Sequence, residues 1–130
     1  MKRFVSFLPA AGYYFLIFVL SSSDIGIPVN VRHFDKAAHF AEYALLGFLV
    51  ALGFFSSLNT SLTLKLVLSL VTSVTLAGLD EFHQFFVPWR AVELLDLLAD
   101  VLGATGGVFG FLLFYSKRKQ LRRSSTARTF

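Results

Sequence analysis

Residues 97–115 read LLADVLGATGGVFGFLLFY. The run carries one charge, Asp100, and has about the length of the roughly 20 apolar residues that a helix needs to cross a bilayer. Strand-type alternation is absent, and a helix satisfies its own backbone hydrogen bonds, as a lipid environment demands. Three further stretches repeat the pattern. Residues 4–23 hold no charge, and 4–21 are taken as a span; 37–55 carry His39 and Glu42 near their start; 62–79 carry Lys65 near their first turn. The four runs predict an all-α integral membrane bundle of four transmembrane helices. It forms a single domain over 1–116, followed by a basic cytoplasmic tail over 117–130.

Composition leads to the same solvent. Of 130 residues, 55% are hydrophobic and 15% charged, against roughly a quarter charged in an ordinary soluble domain. Phe occurs 16 times, and the mean hydropathy is +0.68. A soluble domain of this length lacks the interior to bury so much apolar surface. A water-soluble globular protein, a disordered chain and a nucleic-acid-binding module are thereby excluded, despite an isoelectric point near 9.7. The chain has no Cys, which removes disulfides, thiolate catalysis and Cys-ligated metal sites. Any metal would need His and carboxylate ligands, so no cofactor is assured and room is left for a divalent cation. No P-loop, Gly-x-Ser-x-Gly, His-Glu-x-x-His or dinucleotide fingerprint occurs.

The placement of the charges sets an expected topology. Lys2 and Arg3 precede the first run, Lys65 lies near the loop between the second and third, and Lys117, Arg118, Lys119, Arg122, Arg123 and Arg128 follow the fourth. Only Arg32, Lys36 and Arg90 fall on the other side. The positive-inside rule then puts both termini in the cytoplasm, with the protein multi-pass in the cell inner (cytoplasmic) membrane. The acids Asp24, Asp35, Glu42, Asp80, Glu81, Glu93, Asp96 and Asp100, with His33, His39 and His83, gather toward the outer face. The start of the chain, Met1-Lys2-Arg3 and then an apolar run to Ser21-Ser22-Ser23, also fits a signal peptide with a small-residue cleavage site. The run is long for such a peptide, and the span reading is preferred.

Three helix faces carry the polar groups. At about 100° per residue, Asp35, Lys36, His39, Glu42 and Tyr43 fit an arc of roughly 120°. Asp35 also suits a helix cap. Asp80, Glu81 and Gln84 share an arc of about 100°, from which His83 points away toward headgroups. Glu93, Asp96, Asp100, Gly103, Gly107 and Gly110 share another arc of about 100°, acids outermost and glycines deeper, where they suit close helix packing. Between these faces runs Phe85-Phe86-Val87-Pro88-Trp89-Arg90. Pro88 stops a helix, Trp89 suits an aromatic belt, and the Arg90 guanidinium suits an ion pair or a bound anion. If the faces converge, Asp35, Glu42, Asp80, Glu81, Asp96 and Asp100 stand against Lys36 and Arg90, a charge of −4 with His neutral. Such a cluster in low dielectric needs protons, a charged His39 or a bound cation.

The motifs Asp35-Lys36-x-x-His39-x-x-x-Tyr43, Asp80-Glu81-x-x-Gln84 with Arg90, and Asp96-x-x-x-Asp100-x-x-Gly103 resemble those of the VanZ-like membrane protein family. The resemblance covers about residues 35–110. One departure adds an acid: the family pattern usually has Asn where this chain has Asp100. The resemblance implies a small four-helix integral membrane protein of the bacterial cell envelope. It further implies a role in handling an amphiphile or in envelope stress, since the family takes its name from a protein linked to resistance to the lipoglycopeptide teicoplanin.

Three functions follow as expectations. In the first, an outward polar pocket of Asp35, Lys36, His39, Tyr43, Asp80, Glu81, Gln84, Arg90, Asp96 and Asp100 binds an amphiphile. That ligand is a glycopeptide antibiotic or a lipid-linked envelope component, with membrane lipids as the surrounding partners and an oligomer left open. In the second, His39 with Asp80 or Glu81 serves a membrane-embedded hydrolase or transferase acting on an envelope lipid. In the third, the buried carboxylates serve a proton- or cation-coupled transporter.

Overall fold

The structure is a computed structural model and describes residues 2–23, 32–88 and 93–127. All regular structure among the described residues is helical: α1 (Lys2–Val5), α2 (Leu8–Ser22), α3 (Arg32–Ser57), α4 (Leu62–Gln84) and α5 (Leu94–Ala127). Lys36–Ser57, Leu62–Gln84 and Leu94–Ser125 are each long and apolar enough to cross a membrane. α2 is a shorter apolar helix of 15 residues, about 22 Å at 1.5 Å per residue.

The expected first run, 4–21, is therefore not one continuous helix. Pro9 has no N–H, and its ring would collide with the carbonyl of Val5 in an unbroken helix. The chain turns at Ser6 and Phe7, and Pro9 stands in the first turn of α2, where the missing N–H costs nothing. The Phe7 ring is laid onto α3, over Gly53 and edge-on to Phe54 at 5.0 Å.

The fourth run departs in the opposite sense. α5 does not stop at Tyr115 but continues to Ala127, so the basic segment from Lys117 to Arg123 is helical. Nothing between Ser116 and Ala127 breaks a helix, and Lys, Arg, Gln and Leu all favour one. The other boundaries follow local signals. The Ser61 hydroxyl caps α4 by accepting from the Leu64 N–H at 3.3 Å. α4 runs one turn beyond the expected Leu79, through Gln84, and Pro88 follows shortly after.

α3 and α5 form the most extensive pairing, with α4 packed across both and α2 against α3 and α4. The pairing of α3 with α5 depends on three glycines. A Cβ on Gly103 would collide with the Phe40 carbonyl, one on Gly107 with the Ala44 carbonyl, and one on Gly47 with the Ala104 carbonyl. The two backbones thus approach as only small residues allow. Below this contact, Tyr43, Leu46, Val50, Ala77 and Ala104 form one buried cluster with Ala10 and Ile17 of α2. Ala51, Phe55, Val108 and Phe111 form a second. Ser69 and Ser73, both fully buried, donate back to the Lys65 and Ser69 carbonyls at 2.7 Å, so neither hydroxyl is stranded. Val67, Val71, Leu79, Leu102 and Leu113 face outward, the surface a bilayer would cover.

Candidate functional site

The polar residues gather at one end of the bundle, where α3 and α5 begin and α2 and α4 finish. α3 and α5 run in the same direction from this end, so motifs about 60 positions apart in sequence fall side by side. The Lys36 ammonium donates to Asp96 at 2.6 Å and to Glu93 at 2.8 Å. One turn deeper, His39 Nδ1 meets Asp100 Oδ1 at 3.0 Å. With Asp100 ionised the carboxylate can only accept, and this ring nitrogen then carries the proton. Asp100 is wholly buried, and a carboxylate at that depth requires such a donor. Tyr43 follows a further turn down α3, also wholly buried, within electrostatic reach of Asp80 and Asp100.

α4 supplies the other wall. Asp80 has both carboxylate oxygens engaged: Oδ1 accepts from the Ser21 hydroxyl at 2.9 Å, and Oδ2 from the Gln84 amide at 2.9 Å. Glu81 is the contrast. It is 6% exposed, and neither of its carboxylate oxygens has a hydrogen-bond partner among the described residues. It lies within electrostatic reach of Asp100, Asp96, His39 and Asp80. Asp100 Oδ2 is likewise buried and unengaged. Glu42 lies within electrostatic reach of Tyr13 on α2.

His83 does not turn toward headgroups. Its Nε2 lies 2.9 Å from the Ser22 hydroxyl, and its ring rests on Phe18 at 4.3 Å between centroids. Ser22 donates its own hydrogen to the Phe18 carbonyl at 2.6 Å, so His83 is the donor to Ser22. The contact clamps α2 to α4 and leaves Ser22 without the proton transfer that a nucleophile would need.

The structure therefore brings together Lys36, His39, Tyr43, Asp80, Glu81, Gln84, Asp96 and Asp100. The Asp35 side chain and Arg90 lie outside the described residues, as does Trp89. Ser21, Ser22 and Glu93 join the cluster without having been assigned to it from the sequence. Their signal was present: three serines end the first apolar run, and Glu93 is one turn before Asp96. No group of three or more His, Asp or Glu side chains among the described residues is placed to hold a metal ion.

A family model described as VanZ/LLP1 matches residues 3–118. The chain belongs to the VanZ/LLP1 family. The match takes in α1 and α2 as well as the helices that carry the motifs, so the Ser21–Asp80 and Ser22–His83 contacts fall within the VanZ/LLP1 unit. No curated protein and no solved structure matches the chain.

Proposed function

We propose that this VanZ/LLP1 membrane protein binds an amphiphile at the acidic end of its bundle. The protein lies multi-pass in the bacterial cytoplasmic membrane, with the acidic end outward and the basic end of α5 in the cytoplasm, as the lysine and arginine distribution favours. The bound molecule is a glycopeptide antibiotic or a lipid-linked envelope component, and the biological setting is resistance to such antibiotics or to envelope stress.

One observation carries the reading: Glu81 is a buried carboxylate with no hydrogen-bond partner among the described residues, flanked by large exposed apolar side chains. Phe82, Phe85 and Phe86 on α4, and Leu94, Leu95 and Leu98 on α5, all stand exposed around the same end. Phe86 packs edge-on to both Phe82 and Phe85, at 5.1 and 5.5 Å. Polar acceptors beside an apolar rim match a molecule with a polar head and a hydrocarbon chain.

The sole tryptophan, Trp89, is five residues beyond Gln84 in the chain, and its emission supplies the readout. Brominated dodecyl maltoside is expected to quench Trp89 emission saturably in purified protein held in a non-brominated detergent. Teicoplanin or a lipid-linked envelope precursor is expected to restore the emission. Quenching that rises linearly with concentration and yields to neither competitor would overturn the proposal.

A further inference from the structure

We infer that the polar half of the bound amphiphile carries a protonated primary amine, received by the Glu81 carboxylate and the unengaged oxygen of Asp100. This rests on the amphiphile-binding reading above and narrows its ligand class. The acidic end holds Glu42, Asp80, Glu81, Glu93, Asp96 and Asp100 against Lys36 and His39 among the described residues. Lys36 is engaged by Glu93 and Asp96, and His39 by Asp100. Asp80 is satisfied by the neutral donors Ser21 and Gln84. Glu81 is left with two buried acceptor oxygens, and Asp100 with one.

A buried carboxylate with no donor is costly, so the site favours a ligand that brings donors and positive charge. Among the described side chains of this end an anionic headgroup would meet acids, because Lys36 is already paired. Among the described residues no group of three or more His, Asp or Glu side chains is placed to hold a metal ion. A primary ammonium fits: it is compact, carries three N–H donors, and asks for hydrogen bonds without metal-type coordination. Glu81 and Asp100 both offer it unengaged acceptor oxygens. Phe82 and Leu95, both exposed at this end, offer apolar surface to the hydrocarbon chain.

Four probes test this by displacement of brominated dodecyl maltoside from Trp89: dodecylamine, dodecanol, dodecyl sulfate and, without a chain, propylamine with MnCl2 as a parallel arm. Dodecylamine is expected to displace at a concentration about tenfold or more below dodecanol, the margin of charge-assisted hydrogen bonds. The advantage should fall to within about twofold in Glu81→Gln, which keeps the shape and removes the charge. Asp100→Asn, which leaves Glu81 in place, should reduce the advantage in part. Propylamine and Mn²⁺ should displace nothing. Equal displacement by dodecanol or dodecyl sulfate, or an amine advantage that survives Glu81→Gln, would overturn the amine while leaving amphiphile binding intact. Failure of every chain-bearing probe to displace would overturn both.

Discussion

Gly107→Leu is expected to lower the melting temperature of the detergent-solubilised protein by about 10 °C, the equivalent of roughly 3 kcal/mol for a chain of this size. The physical reason lies in what the new side chain meets. A Cβ at Gly107 falls on the Ala44 carbonyl and against the Phe48 backbone nitrogen, and main-chain atoms inside a helix cannot step aside as a side-chain tip can. α3 and α5 must separate, and the separation is transmitted to the polar end. Lys36–Asp96 and His39–Asp100 both bridge these two helices and are a few turns away. Loss of both contacts should accompany the loss of stability. Gly12 and Gly78 serve as controls, because a Cβ at either position meets nothing. Gly12→Ala and Gly78→Ala should leave the melting temperature unchanged or raise it, since Ala suits a helix better than Gly. A Gly107→Leu protein that melts with wild type would show that α3 and α5 are not packed as described.

The second large effect concerns the buried pair. His39→Ala takes the Nδ1 donor away from Asp100 and leaves a carboxylate wholly out of water, a change that costs about 3–5 kcal/mol when one partner of a buried pair is removed. Asp100→Asn should behave differently. The amide oxygen still accepts from His39 Nδ1, while the buried charge is gone, so the cost should stay below about 1 kcal/mol. This also accounts for how the family pattern can hold Asn at this position. The double variant His39→Ala/Asp100→Asn should recover a large part of the loss seen in His39→Ala, because no carboxylate is then stranded. Thermal melts of the four proteins close the cycle. If Asp100→Asn is as damaging as His39→Ala, the charge itself, and not the hydrogen bond, holds the helices together.

These two predictions divide along what could be read from the chain and what could not. That α3, α4 and α5 are membrane-length helices followed from long, nearly charge-free runs, since in lipid few other backbone solutions exist. The grouping of Lys36 with His39, and of Asp96 with Asp100, followed from helical spacing alone. The pairings between groups did not. Lys36 selects Asp96 and Glu93 because α3 and α5 run side by side in one direction, and that alignment is set by the small-residue contact deeper in the bundle. That Glu81 is left without a donor among the described residues is likewise invisible on α4 by itself. Ser21 reaches Asp80 across 59 positions, so only the folded chain reveals that the serine cluster closes the polar end. The break at Ser6-Phe7 was legible in Pro9, whose effect on the preceding turn the apolar run concealed. The helical course of residues 117–127 was legible in their propensities, which the charge pattern overshadowed.

The proposed amphiphile seats its polar head at the acidic end of the bundle. Photo-crosslinking in lipid nanodiscs tests it directly, using an alkylamine that bears a diazirine close to the nitrogen and mass spectrometry to locate the adducts. Adducts concentrated on Phe82–Phe86 and Leu94–Leu98, and strongly reduced in Glu81→Gln, are the predicted result. Adducts spread evenly over the lipid-facing residues of α3, α4 and α5, or gathered at the basic end and indifferent to Glu81→Gln, would contradict it.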